Sequence, residues 1–361
     1  MVILASEGAG SSAWRDRAAD GADRPMAAGS AFKLLVPRAY EDAVARGDLG
    51  RADVTLLTEA DRSLPLGVLQ TLRPGTPVAL KSLAGLMIQH SDNTATDALM
   101  RVLSTEALEA ISPRNRPFLT TVQFFKFISA KAEDRRAADA GGDVAGRRAI
   151  LKELADDPLP EGSDIQPHPT WGDAEWRITA RELCDLLASL REAPALNGRP
   201  EPLLAGLLKR DGWSWVGFKG GSGFGVLNLS AAGITPYGRT VCAVLTANGE
   251  AAQPEDRLAV LFAAMLRSLA NWGSERERFK EYPKATSPPI QRPLLSEAAI
   301  LSRMRSAVTS RSNCAKLRSM FSVRPPMEAE VLGDCVTEAK DAPALAFDWR
   351  ISSSFMVGTS C

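Results

Sequence analysis

Leu83-Ala84-Gly85-Leu86-Met87-Ile88-Gln89-His90-Ser91-Asp92-Asn93-Thr94-Ala95-Thr96-Asp97 is the stretch from which the rest of the chain can be read. Its first part belongs to an apolar helix that Thr76-Pro77 opens as an N-cap and N1 pair and that ends near His90. Directly after it stand a hydroxyl, a carboxylate and a carboxamide in Ser91-Asp92-Asn93. Upstream lies Ser30-Ala31-Phe32-Lys33, and downstream Lys219-Gly220-Gly221. Each motif is weak alone, and each occurs once. In this order they supply a nucleophilic serine, two lysines, a second hydroxyl and a carboxamide, the set that acyl transfer requires.

Ser30 begins an apolar helix that runs through Phe32, Leu34, Leu35 and Val36. Residues three apart share a helix face, so Ser30 and Lys33 can meet. A serine hydroxyl is a poor nucleophile until a neighbour takes its proton, and a lysine can do so only when burial or a nearby cation lowers its pKa. A free helix N-terminus also offers backbone N–H groups to an oxyanion. The plain alternative, a serine N-cap beside a solvated lysine, suits an isolated S-x-x-K. The presence of the other two motifs decides against it.

Only two histidines exist, His90 and His168, so a Ser-His-Asp triad would have to use one of them. His168 lies in the Pro-rich Gln166-Pro167-His168-Pro169, which reads as a surface loop, while His90 abuts the second motif. No C-x-x-C or H-E-x-x-H is present, and no metal or other cofactor is expected. The five cysteines are scattered. Cys184 on a helix and Cys242 in a buried strand read as free packed thiols, with no disulfide framework.

The trio S-x-x-K, S-D-N and K-T/S-G resembles that of class A β-lactamases and penicillin-binding proteins. The likeness around the second motif extends from Leu83 to Asp97, and the interval from Ser30 to Ser91 also suits that family. The resemblance covers roughly Val2 to Trp272. It implies that Ser30 attacks a carbonyl and becomes acylated while Lys33 takes its proton, and that Ser91, aided by Lys219, shuttles a proton to the leaving group. It further implies that Asn93, Gly221 and Ser222 bind substrate, that Asp92 is structural, and that the backbone N–H groups of Ser30 and Ser222 form the oxyanion hole. Lys219 beside Lys33 gives a physical reason for the third motif, since like charge favours the neutral amine.

Two departures from the pattern matter. No E-x-x-L-N, the family's water-activating motif, occurs between Asn93 and Lys219. Glu153, Glu161 and Glu175 lie in the corresponding region; Glu161 in Pro160-Glu161-Gly162-Ser163 is the best placed of them, though a surface glutamate is the simpler reading. Gly220 also replaces the hydroxyl residue that would help hold a β-lactam carboxylate, with Ser222 as the possible substitute. The expectation is acylation with weak β-lactam turnover. The alternatives are a cell-wall peptidase of the penicillin-binding type, or a domain that traps an acyl group or only binds.

The expected architecture is α+β and β-lactamase-like: one antiparallel sheet built from both chain ends, flanked by helices, with an all-helical insertion over about 40–205. Val2 to Ala5 and Arg24 to Ala27 read as extended, Thr179 to Leu190 as an amphipathic helix, and Trp213 to Phe218, Gly225 to Ser230 and Thr240 to Thr246 as strands. Pro254 opens a last helix with Leu258, Leu261, Phe262, Met265 and Leu269 at the 3.6 period. Residues 1–272 thus form a hydrolase domain, and 273–361 read as a poorly ordered or unrecognised tail. The residues before Ser30 suffice for two strands but not for the family's N-terminal helix, and no export signal is seen. A periplasmic or secreted location is expected if the natural chain starts further upstream.

Lys plus Arg equals Asp plus Glu, 43 each, so no basic footprint points to nucleic acid. No apolar run approaches a membrane span. A small-molecule acyl substrate and a monomer are expected. The glycines around Lys219 lack the order of a phosphate loop.

Overall fold

The computed structural model describes residues 2–6, 14–65, 67–135, 142–165, 174–193 and 212–270. The chain divides into units 1–287 and 288–361, and the second lies wholly outside the described residues. So do His168, Cys314, Cys335, Cys361 and the tail expected from residue 273.

The main sheet has five antiparallel strands in the order β2-β1-β9-β8-β7. They are β1 (Val2–Ser6), β2 (Trp14–Ala19), β7 (Trp215–Gly223), β8 (Val226–Ile234) and β9 (Thr240–Asn248). Both chain ends of the described unit therefore build it, as expected. The second N-terminal strand is Trp14–Ala19, not Arg24 to Ala27. Of the latter only β3 (Met26–Ala27) is extended, and it pairs with β6 (Arg177–Ile178) in a separate two-stranded ladder. Asn248 ties that ladder to the sheet, its side chain accepting from Ala27 N–H and donating to Ala27 O.

Gly225 does not start a strand. Gly223 pairs with Val226, which leaves Phe224-Gly225 as a two-residue hairpin loop with Gly225 at φ +71°.

Val241, Cys242, Ala243, Val244 and Leu245 are all buried, because helices cover both sheet faces. Phe218, Ala231 and Ala243 lie across from one another, and Phe218 meets Phe262 of α8 (Glu255–Ala270). On the other face Cys242 is disulfide-bonded to Cys184 of α7 (Ala180–Ser189), with Cα atoms 5.8 Å apart. The expectation of two free thiols is thereby corrected: both residues are buried, and tertiary packing sets them within bonding reach. Lys219, Ser230 and Val244 share the Cys242 face by register. Trp213 packs against Gly233, where a Cβ would lie 2.5 Å from its ring.

Between β3 and β6 the described chain is mainly helical. It holds α1 (Leu35–Arg46), α2 (Leu80–Gln89), α3 (Asn93–Leu103), α4 (Thr105–Ile111), α5 (Thr121–Ile128) and α6 (Val144–Glu153). The strands β4 (Val54–Leu56) and β5 (Pro77–Ala79) form a short ladder there. Pro77 thus begins a strand instead of capping a helix, a position where its missing N–H costs nothing. α2 starts at Leu80, whose N–H donates to Asp53 O at 2.8 Å.

The segment carrying the first motif also differs from the expectation. Gly29–Leu34 is a 3-10 helix, and α-helix begins only at Leu35. Pro37 explains the boundary: its ring excludes the α-type carbonyl four residues back, so it is tolerated only in a first turn. Phe32 anchors this segment, stacked on Trp176 at 3.7 Å between centroids and tilted against Phe118. Full burial of such an aromatic contributes about 1.5–3 kcal/mol.

Candidate active site

Three elements converge: the 3-10 helix bearing Ser30 and Lys33, the turn from α2 to α3 bearing Ser91, Asp92 and Asn93, and strand β7 bearing Lys219, Gly221 and Ser222. Glycines allow the closest of these approaches. A Cβ on Gly221 would lie 2.1 Å from Ala28 O and 2.6 Å from the nitrogens of Ser30 and Ala31. One on Gly29, at φ +50°, would lie 2.8 Å from the nitrogen of Ser222. The two backbones therefore press together where the Ser30 and Ser222 N–H groups sit, an arrangement suited to a shared anionic oxygen.

The turn is held by Asp92. One of its oxygens caps α3 through Ala95 N–H at 2.8 Å, and the other accepts from Leu69 N–H at 3.0 Å. Ser91 is thereby held at φ 51°, a left-handed conformation that a non-glycine residue adopts only when its surroundings impose it. Its carbonyl and hydroxyl are then both within reach of Lys33.

Lys33 is fully buried. Its Nζ donates to Ser91 O at 2.5 Å and to Asn93 Oδ1, and lies 3.1 Å from Ser91 Oγ. Asn93 Nδ2 in turn donates to Leu64 O, so the carboxamide is oriented at both ends. From the other side Lys219 Nζ also lies 3.1 Å from Ser91 Oγ and donates to Gly220 O at 2.7 Å. One hydroxyl thus bridges two buried amines. The structure brings Lys33, Ser91, Asn93 and Lys219 into one hydrogen-bonded group. Ser30 stands three residues from Lys33 on the same short helix, where i and i+3 side chains eclipse. Its hydroxyl makes no bond to the Lys33 amine, which is turned to Ser91 and Asn93.

Burial pushes the Lys33 amine well below its ordinary value, and the neighbouring Lys219 pushes it further, against the pull of Asp97 and Asp92. Burial alone brings Lys219 down to about 7. Asp97, buried on α3, is raised by desolvation to about 7 although Thr121 and Val122 N–H groups donate to it. A neutral amine has two N–H bonds and one lone pair. With Ser91 O and Asn93 Oδ1 taking the two hydrogens, the Lys33 lone pair remains to accept a hydroxyl proton.

The remaining candidates fall elsewhere. His90 is exposed at the end of α2, and Ser222 is exposed at the end of β7. Gly220 sits on the opposite strand face from Lys219 and Gly221. Glu153 and Glu161 are exposed, so the preference for Glu161 gains nothing from the fold. Glu175, the third of that set, is buried. No local pattern marks it, because its burial follows from the distant pairing of β6 with β3. Among the described residues no three His, Cys, Asp or Glu side chains converge as a metal site, and no helix is long and apolar enough to cross a membrane.

A family model described as the β-lactamase enzyme family matches residues 15–223, more than half of the chain and a span that contains all three motifs. A search of curated proteins gave no match. Among solved structures, a β-lactamase from Sphaerobacter thermophilus is 20% identical, with 78% of this chain and 93% of that one covered and a TM-score of 0.45. PBP-A is 18% identical over 78% of this chain and 91% of that one, at 0.45. A β-lactamase from Francisella tularensis is 14% identical over 76% and 93%, at 0.46. On the family match, the chain belongs to the β-lactamase enzyme family and is a serine hydrolase.

Proposed function

We propose that the protein hydrolyses an ester, amide or β-lactam through an acyl-enzyme on Ser30. The observation that carries this reading is the pair of buried amines, Lys33 and Lys219, each 3.1 Å from the single hydroxyl of Ser91. Lys33 accepts the Ser30 hydroxyl proton as Ser30 Oγ bonds to the carbonyl carbon. The carbonyl oxygen becomes an anion received by the Ser30 and Ser222 N–H groups. As the carbon to leaving-group bond breaks, Ser91 Oγ–H protonates the departing atom and regains a proton from the adjoining amines. β7 is an edge strand, so its outer backbone groups can pair with an extended substrate. Water then releases the acyl group.

That last step is slow in this reading, because E-x-x-L-N is absent and Glu153 and Glu161 are exposed. Gly220 also withdraws the hydroxyl that would hold a β-lactam carboxylate. The missing water-activating motif favours a long-lived acyl-enzyme as the second reading. The reading includes export to an oxidising compartment, supported by the Cys184–Cys242 disulfide.

Intact-mass measurement after mixing with benzylpenicillin, or with a nitrophenyl ester, tests all of this. An adduct on the parent that Ser30→Ala abolishes is expected; its lifetime separates turnover from trapping. Equal labelling of the Ser30→Ala variant refutes the proposal.

A further inference from the structure

One buried acid beside the nucleophile has no part in the steps above. Glu175 is 8% exposed, and its Oε2 has no hydrogen-bond partner. The β3–β6 ladder explains how it arrives there. Met26 pairs with Ile178 and Ala27 with Arg177; then Ala28 N–H donates to Trp176 O at 3.1 Å, which sets Glu175 opposite Gly29, the residue before Ser30. The Gly29 N–H faces the carboxyl. From the other side, a Cβ on Gly223 would lie 3.1 Å from Glu175 Oε1, so the carboxyl occupies room that a glycine leaves. Gly29 and Gly223 adjoin Ser30 and Ser222. An unpaired buried carboxyl oxygen is costly, and an apolar side chain of similar size would fill the space without that cost.

We propose that Glu175 is a positioning residue for acyl transfer, its carboxyl wedged between Gly29 and Gly223 so that the Ser30 and Ser222 N–H groups keep the separation a tetrahedral oxyanion needs. The inference rests on the acyl-enzyme reading given above. The wedge works as a neutral acid. Burial pushes the carboxyl up to about 8, against the opposing influence of the Gly29 N–H and the Arg177 guanidinium. The titratable groups on the packed elements are Arg177 on β6, Lys33 on the 3-10 helix and Lys219 on β7, and Arg177 is the one whose charge acts on it. Loss of the proton puts a negative charge against the backbone that must receive the oxyanion, which weakens the hole. The acid's folded pKa lies above its unfolded value. Its contribution to stability is therefore complete below about 4.5 and is lost as pH rises through about 8.

The test measures acylation by a nitrophenyl ester from pH 6 to 10, with thermal melting at each pH, for the parent, Glu175→Gln and Glu175→Leu. Glu175→Gln should acylate within about threefold of the parent at pH 7 and lose the part of the alkaline fall centred near pH 8, while Glu175→Leu should acylate about a hundredfold more slowly at unchanged KM. The melting point of Glu175→Gln should gain on the parent between pH 6 and pH 9. A Glu175→Leu variant that acylates at the parent rate overturns the inference, as does an alkaline limb that Glu175→Gln leaves unchanged, or a melting difference that stays constant with pH. A parent that forms no Ser30 adduct overturns the acyl-enzyme reading and this inference with it; an adduct with normal Glu175→Leu kinetics overturns the inference alone.

Discussion

Replacing Cys184 and Cys242 together by alanine should destabilise the domain by about 4–5 kcal/mol. The bond ties α7 to β9 across a sequence separation of 58 residues. Closing a loop of that length removes about 14 cal/mol/K of chain entropy from the unfolded state, or about 4 kcal/mol at 25 °C. Both side chains are fully buried, and deleting their sulfurs leaves a small void worth up to about 1 kcal/mol more. A domain of this size should then melt roughly 10 °C lower. Urea unfolding followed by tryptophan fluorescence, without reductant, measures the difference directly. The parent in dithiothreitol should shift towards the double variant, and the double variant should not respond. Two titratable thiols in the folded, unreduced parent, or a double variant within about 1 kcal/mol of it, would refute the reasoning.

Other expectations follow from the site. Gly221→Ala would place a methyl 2.1 Å from Ala28 O, so β7 must retreat from the 3-10 helix; acylation should slow by about a hundredfold or more while helix content, by circular dichroism, is kept. Lys219 is an ammonium below about 7 and neutral above it. The concentration of a carboxylate-bearing penicillin needed for half-maximal acylation should therefore rise about tenfold between pH 6 and 8.5, whereas that of a neutral ester should not. Asp92→Ala strips the α3 cap and leaves the Leu69 N–H without its acceptor. A loss of about 2–3 kcal/mol is expected in chemical denaturation, and Asp92→Asn should recover part of it.

What could be read from the sequence was local. The three motifs carry their own chemistry within a few residues, and the runs around Val226 and Val241 announce buried strands by apolar content alone. The unreadable parts depend on partners far along the chain. Nothing near Cys184 indicates that Cys242 will come within 5.8 Å of its Cα. Nothing in Ala174-Glu175-Trp176 indicates pairing with residues before Ser30. Two further differences were local but turned on proline. Pro37 delays the α-helix that Ser30 was expected to begin, and Pro77 enters a strand where the Thr76-Pro77 pair resembles a helix start. In both places a one-residue rule held, but the neighbouring backbone decided which rule applied.

The placement of β1 between β2 and β9 has a consequence for biogenesis. A ribosome delivers β1 more than two hundred residues before β9, so the nascent chain must carry an unfinished sheet edge until Asn248 has emerged. Completion of the sheet is consequently a late, long-range event that local helix formation cannot accelerate. A holdase that keeps the N-terminal hairpin from pairing with neighbouring chains should raise the yield of native protein more than any stabilisation of the helices.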